Sequence, residues 1–305
     1  MSLTGTGIDS AESLTVEMAL AHARQRLVVA LGISVADAAL DAEVLLAAQL
    51  NKSRSWLYTW GDKRLEVTDV VPFSDMIERR AQGEPVAYLL GYREFFGLTL
   101  KVSNATLIPR ADSECLVEKA LALATSSEGR ALDLGTGTGA IALAFASHRP
   151  GWHVMATDRI AGAVALAAEN ADTLALSNVR CIQSDWFSAD ALAGQQFDMI
   201  LSNPPYIDGH DHHLNEGDVR FEPRSALVAE DEGYADLLTI IQQSIHFVRP
   251  GGWLLLEHGY EQGAKVRQLL RQYGYESIDT LRDFGGNERV TFGRPNPVER
   301  AEAGV

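Results

Sequence analysis

From about residue 112 onward the apolar residues change period repeatedly, from strand-like runs to helical spacing and back. Residues 130–134, 153–157, 179–183, 197–202 and 252–258 read as strands, and helical stretches separate most of them. Strands joined by helices pair in parallel, and a parallel sheet is covered on both faces. The pattern therefore predicts an α/β fold with a mostly parallel, doubly wound sheet. Two last runs, 277–282 and 290–294, are placed to close it as an antiparallel pair. In an open sheet of this kind, ligands bind beyond the carboxyl ends of the strands. Those ends are where chemistry is sought.

The end of the 197–202 run carries Asn203-Pro204-Pro205-Tyr206. Two consecutive prolines donate no backbone N–H and cannot continue a ladder. The chain is thus stopped and stiffened at a strand end. A planar NH₂ group can be held there, because the Asn203 side-chain oxygen and the Pro204 carbonyl can each accept one of its protons. Tyr206 offers a flat ring to stack on the amide or base that carries that group. A proline-stiffened loop that only ends a strand is the plainer use of Pro-Pro. Asparagine before the pair and tyrosine after it favour chemistry on the nitrogen of an amide or an exocyclic amine.

The first strand runs into Asp133-Leu134-Gly135-Thr136-Gly137-Thr138-Gly139-Ala140, which opens a helix. Alternate glycines let the backbone approach a ligand closely and allow positive φ. Nicotinamide enzymes also use a glycine-rich turn here, although Ala140 stands where their third glycine falls, and alanine is tolerated there. Asp133 can orient the loop or meet a cationic amino group through water, and it would repel a pyrophosphate. Asp158 ends the second strand. It can accept from both ribose hydroxyls, or cap the helix that follows. Asp185 and Trp186 end the third strand, where they can meet an adenine amine and its ring, or can be a turn aspartate beside a core tryptophan. Adenine, ribose, an ammonium group and no phosphate describe S-adenosylmethionine.

Residues 12–90 are helical in pattern and carry no cofactor signature. Residues 14–31 recur at helical spacing with Gly32 as a stop, residues 36–50 repeat the pattern, and residues 76–83 read as a third helix. Residues 94–110 alternate apolar and polar side chains, with Ser103-Asn104 as a candidate turn, and predict a β-hairpin. The net charge is −15, and neither residues 1–100 (9 basic, 13 acidic) nor the remainder (17 basic, 28 acidic) is basic. That weighs against life on a phosphate backbone. The two cysteines, Cys115 and Cys181, fit free thiols in a reducing compartment. With no long apolar run and no apolar leader, the reading is a cytoplasmic protein that does not enter a membrane. The cluster Gly209-His210-Asp211-His212-His213 matches no strong metal-ligand spacing and reads as a solvated loop, so no metal is expected. Asp218–Pro223 reads as a loop near the substrate mouth, and a pairing of Arg220 with Glu222 there is the plainer alternative.

Beyond the strand-end motifs, the chain contains residues 79–89 (Arg-Arg-Ala-Gln-Gly-Glu-Pro-Val-Ala-Tyr-Leu), Glu94-Phe95-Phe96-Gly97-Leu98, Leu107-Ile108-Pro109-Arg110, Ser184-Asp185-Trp186-Phe187 and Asp218-Val219-Arg220-Phe221-Glu222-Pro223. With these segments it resembles the HemK/PrmC methyltransferases over nearly its whole length from about residue 15. The resemblance implies N5 methylation of the glutamine in the Gly-Gly-Gln motif of peptide chain release factors. It also implies S-adenosylmethionine as donor, with S-adenosylhomocysteine as product. The implied organisation is a helical recognition domain over 1–92 with a loose tail over 1–11, a hairpin linker over 93–111, and a seven-stranded class I methyltransferase domain over 112–296. A loose tail over 297–305 follows. Cofactor positions carried over are Gly135, Thr136, Gly137, Thr138, Gly139, Asp158, Trp186 and Asn203. The amide-holding positions are Asn203, Pro204, Pro205 and Tyr206. One departure is Ala111, where the family usually has a second proline. A sister family that methylates a glutamine of a ribosomal protein shares the Asn-Pro-Pro-Tyr motif. N-methylation of an exocyclic amine in nucleic acid fits the same pocket. The expected partner is a release factor, with no direct nucleic-acid contact, and the expected state is a monomer.

Overall fold

The structure, a computed structural model, describes residues 14–283 and 285–296. The tails expected over 1–11 and 297–305 lie outside the described residues. The chain divides into two compact units at Leu90/Gly91.

The first unit is helical: α1 (Val16–Leu31), α2 (Val35–Leu50), α3 (Arg54–Thr59), α4 (Val67–Ala81) and α5 (Val86–Leu90). Local signals start the first three. The Thr15, Ser34 and Ser53 hydroxyls accept from the N–H of Met18, Asp37 and Trp56 and so cap orphan donors. Gly32 ends α1 in the left-handed region with φ 66°. Val16, Ala19, Ala23 and Leu27 form the buried stripe of α1, packed with Leu45 and Leu46 of α2 and with Phe73 and Ile77 of α4. The helix expected over 76–83 begins nine residues earlier, at Val67. Pro72 lies inside it, and a proline there reads from sequence as a breaker. Packing of Phe73 and Ile77 outweighs the lost hydrogen bond.

The second unit opens with a hairpin, β1 (Tyr92–Phe95) and β2 (Leu98–Lys101). Its turn is Phe96-Gly97, with φ of 51° and 76°, rather than Ser103-Asn104. Two positive φ values make a hairpin turn of the primed type, which the twist of the flanking strands favours. The hairpin does not stand apart as a linker. Phe95 and Leu100 are fully buried in the core of the second unit.

After α6 (Glu114–Leu123), β3 (Gly129–Leu134), α7 (Ala140–His148), β4 (Trp152–Asp158), α8 (Ala161–Thr173), β5 (Val179–Gln183) and β6 (Phe197–Ser202) alternate as expected. A two-residue pair, β7 (Ile207–Asp208) and β8 (Val228–Ala229), brackets the irregular segment that follows β6. The short α9 (Glu230–Gly233), α10 (Ala235–Ser244), β9 (Val248–Glu257), α11 (Gly263–Gln272), β10 (Tyr275–Arg282) and β11 (Glu288–Pro295) complete the unit. The sheet has seven strands in the order β10-β11-β9-β6-β3-β4-β5, with only β11 antiparallel to its neighbours. Two apolar layers cover it. One holds α6 and α7 with Leu116, Leu143 and Phe145, and the other holds α10 and α11 with Ile240, Ile241 and Leu270. Strands buried on both faces explain why 197–202 is almost wholly apolar. Among the described residues, no helix is long and apolar enough to cross a membrane.

Candidate functional site

The carboxyl ends of β3, β4, β5 and β6 open on one cleft. Gly135, Thr136, Gly137 and Thr138 form its floor, Asp158, Asp185 and Trp186 one wall, and Asn203 and Pro205 the far side. All but three of the cofactor and amide positions carried over by the resemblance line it. Gly139 is absent from the lining because it caps α7, with φ 86° and a hypothetical Cβ 2.9 Å from Leu143. Pro204 is buried beneath it. Tyr206 is turned behind it.

The glycine loop is shaped from below. Gly135, Gly137 and Gly139 all have positive φ, at 71°, 56° and 86°. The Trp186 ring lies against Gly135, where a Cβ would come within 3.4 Å of it. Asp133 is fully buried. Its Oδ2 accepts from Thr136 Oγ1 at 2.5 Å, while Oδ1 has no hydrogen bond of good geometry among the described residues. Burial raises its pKa to about 7, with the Thr136 hydroxyl and the Ala142 N–H offsetting part of the penalty. Asp133 therefore orients the loop and does not face the cleft. Asp158 is held at the strand end by two backbone donors. Its Oδ2 accepts from Gly137 N–H at 3.0 Å, and its Oδ1 accepts from Ile160 N–H at the start of α8, at 2.9 Å. Each oxygen keeps a second lone pair toward the cleft.

Around Asn203 the geometry is specific. Its Nδ2 donates to Ser113 Oγ at 3.1 Å, and no hydrogen bond among the described residues reaches its Oδ1. The Tyr206 carbonyl accepts from Gln262 Nε2 at 3.1 Å, and the Tyr206 hydroxyl donates to Glu257 Oε1 at 3.4 Å. The ring packs against the apolar layer under β9. Gly233, φ 85°, lets α9 touch this segment, since a Cβ there would lie 2.2 Å from the Tyr206 carbonyl oxygen. Glu257 ends β9 and is 1% exposed. Burial pushes its pKa up to about 7 against the pull of the Ser113 hydroxyl and the Arg289 guanidinium.

Three side chains around the site had no sequence signal: Ser113, Asn170 and Glu257. Asn170 of α8 ties the β2 strand to the glycine loop. Its Oδ1 accepts from Lys101 N–H at 2.8 Å, and its Nδ2 donates to the carbonyls of Lys101 at 3.1 Å and Thr138 at 2.9 Å. Glu222 pairs with Arg110 rather than with Arg220, the plainer alternative. Its carboxylate is buried against Arg110 and the Ile108 N–H, where it joins the segment after the hairpin to the loop after β6. The exposed histidine loop brings Asp211, His212 and His213 within 4.8 Å of one another. The Asp211 carboxylate is held low there by the His213 N–H and ring.

The residues fit S-adenosylmethionine better than a nucleotide phosphate. A positive-φ backbone cradle, an aromatic wall and two carboxylates suit an adenosyl group and a cationic tail. Residues 18–91 match the family description PrmC N-terminal domain, and residues 111–222 match Methyltransferase small domain. The release factor glutamine methyltransferase of Salmonella typhimurium is 58% identical over 84% of this chain and 92% of its own length. That of Shewanella oneidensis is 51% identical over 90% of this chain and 96% of its own. Among solved structures, the hMettl16 catalytic domain in complex with MAT2A 3'UTR hairpin 1 has a TM-score of 0.54 at 18% identity. It covers 74% of this chain and 80% of that one, a likeness of fold alone.

Proposed function

The chain belongs to the release factor glutamine methyltransferase family, and on that premise we propose its reaction in full. It transfers a methyl group from S-adenosylmethionine to the side-chain amide nitrogen, N5, of the glutamine in the Gly-Gly-Gln motif of peptide chain release factors. The observation that carries the reading is the Asn203 amide, whose nitrogen is committed to Ser113 and whose oxygen is left to the cleft.

When bound, S-adenosylmethionine supplies a methyl group on a sulfonium whose departure leaves a neutral thioether. Gly135 to Thr138 would hold it with backbone, Asp158 would accept from the ribose, and Trp186 would pack on the adenine. Asn203 Oδ1 and the Pro204 carbonyl accept the two protons of the target NH₂. An amide nitrogen is a poor nucleophile because its lone pair is delocalised. Two acceptors on its protons raise electron density at nitrogen and fix the lone pair in line with the methyl. Placement and charge complementarity are the protein's contribution. Pro204 and Pro205 remove backbone freedom from this clamp. The helical unit through Leu90 is assigned to docking the release factor, in the compartment where translation ends.

Incubation with release factor and labelled S-adenosylmethionine, followed by mass spectrometry of tryptic peptides, tests the reading. One added methyl is expected on the glutamine of Gly-Gly-Gln. Asn203→Ala should lower kcat by about 10²-fold, as for loss of one preorganised polar contact, with much less effect on cofactor affinity. Label on a ribosomal protein or a nucleic-acid base, with none on that glutamine, would overturn it.

A further inference from the structure

Besides its adenosyl end, S-adenosylmethionine has an amino-acid end, whose carboxylate is bound best by a charged donor. Two cations line the cleft, Arg110 and Arg159. Arg159 follows Asp158 at the end of β4, and its Nη2 donates to the Ser225 carbonyl at 3.2 Å. That places it on the wall assigned to the ribose and adenine. Arg110 belongs to the far side. Its carbonyl accepts from the Ser113 N–H at 3.1 Å, and the Ser113 oxygen receives Asn203 Nδ2 at 3.1 Å. Arg110 is therefore one turn of chain from the serine that holds Asn203, the side chain assigned to the target amide. The methyl group has to reach that amide, and the amino-acid end of the donor begins at the same sulfonium.

Arg110 is fixed from behind. Glu222, on the loop between β7 and β8, has a fully buried side chain, while that of Arg110 is 38% exposed. The Glu222 Oε1 accepts from Arg110 Nη2, and its Oε2 accepts from the Ile108 N–H at 2.9 Å. One carboxylate thus holds both the guanidinium and the backbone two residues before it. That backbone runs along the glycine loop, since a Cβ on Gly137 would lie 3.9 Å from the Thr106 side chain. A guanidinium carries several N–H groups in a planar fork. Beyond the bond to Glu222, no hydrogen bond among the described residues engages the others, and Arg110 itself lines the cleft.

We propose that Arg110 binds the carboxylate of the donor's amino-acid end, and that Glu222 is the positioning residue that aims it. A planar fork can serve a buried carboxylate with one N–H and a second carboxylate with others, which the point charge of a lysine cannot do in fixed geometry. A free arginine has many rotamers, and a partner that selects one before the ligand arrives lowers the entropic cost of binding. The carboxylate is the same before and after methyl transfer, so Arg110 binds donor and product alike. It therefore acts on KM rather than on kcat. The inference rests on the S-adenosylmethionine reading, and its test separates the two.

The test is calorimetry on the full chain with two ligands, S-adenosylhomocysteine and its analogue that lacks only the carboxyl group. The ratio of their Kd values isolates what the carboxylate contributes. In wild type the analogue should bind about 10- to 100-fold more weakly, the scale of a charge-assisted hydrogen bond. That ratio should fall to within about threefold of unity in Arg110→Gln, shrink in Glu222→Gln, and change no further in the double variant. A pair that only braces the fold would weaken both ligands by the same factor and leave the ratio where it was. Arg110→Lys keeps a cation beside Glu222 and covers the case in which glutamine at that position does not fold; its ratio should fall by at least about threefold, because the fork is gone. With S-adenosylmethionine and release factor, KM for the donor should rise in these variants while kcat stays within about threefold. A wild-type ratio near unity, or an unchanged ratio in folded Arg110→Lys and Glu222→Gln, would overturn the proposal, while methylation of the Gly-Gly-Gln glutamine by the wild type would still stand. If wild type bound neither ligand, the S-adenosylmethionine reading would fall and the role of Arg110 with it.

Discussion

Replacing Asn170 with alanine should cost the second unit more stability than its place on a helix implies. The side chain is 1% exposed and makes three hydrogen bonds: 2.8 Å from Lys101 N–H, and 3.1 and 2.9 Å to the carbonyls of Lys101 and Thr138. Lys101 is exposed, so water can recover much of what its backbone loses, at about 1 kcal/mol for each of two bonds. Thr138 is 2% exposed, and its carbonyl would be left without a donor at about 2 kcal/mol. The sum is about 4 kcal/mol, a large part of the roughly 5–15 kcal/mol of a typical domain. Asn170→Asp should be at least as harmful, because it sets a carboxylate against two carbonyl oxygens. Urea unfolding by tryptophan fluorescence is the assay, in a Trp56→Phe/Trp60→Phe background so that the signal comes from Trp152, Trp186 and Trp253 of the second unit. A loss below about 1 kcal/mol at unchanged m-value would refute the claim that Asn170 ties the hairpin to the glycine loop.

Asp158→Ala should weaken S-adenosylmethionine binding by about 1–3 kcal/mol, and unchanged affinity by calorimetry in a folded variant would remove Asp158 from the site. Asp133 has a folded pKa raised to about 7 from 3.8, so the folded state holds its proton more tightly than the unfolded chain, and its contribution to stability falls as pH rises between those values. Asp133→Asn keeps an acceptor for Thr136 but no titration, so its melting temperature should gain on wild type across that window, and parallel curves would show that Asp133 ionises normally. Gly233→Ala should destabilise by several kcal/mol, on the order of 3, since it combines φ 85° with a Cβ 2.2 Å from the Tyr206 carbonyl oxygen; unfolding within about 0.5 kcal/mol of wild type would contradict the close approach.

The parts of the fold that were readable from sequence are those set by local rules. Val179–Gln183 and Phe197–Ser202 begin and end where the sequence places them, because polar or proline-rich segments bound each apolar run. The glycine loop, Asp158, Trp186 and Asn203 converge on one cleft because each lies at a strand end, and parallel strands bring their carboxyl ends to one edge. What sequence missed depends on distant partners. Ser113 and Asn203 are 90 positions apart, Lys101 and Asn170 are 69, and Ile108 and Glu222 are 114. Nothing near Glu222 marks Arg110 as its partner, so the neighbouring Arg220 was the natural choice. The hairpin turn was missed for a different reason: Phe96 adopts a φ of 51° that its residue type disfavours, while Ser103-Asn104 carries the stronger local turn signal.

The strand order has a consequence for how the enzyme comes into being. β3 pairs with β4 and β6, and β4 with β5, so the edge that carries the glycine loop, Asp158 and Trp186 can assemble from residues before 203. Glu257 gains its sheet neighbours only when β9 docks on β6 and β11, from much later in the sequence, inserts between β9 and β10. During synthesis the chain through β6 is made before β9 and β11, and folding can begin from the N-terminal side. The strands that carry the glycine loop, Asp158 and Trp186 are therefore all present before those that close the sheet behind them. A stalled nascent chain that ended before β9 and bound no S-adenosylmethionine would show that this edge does not form until the sheet closes.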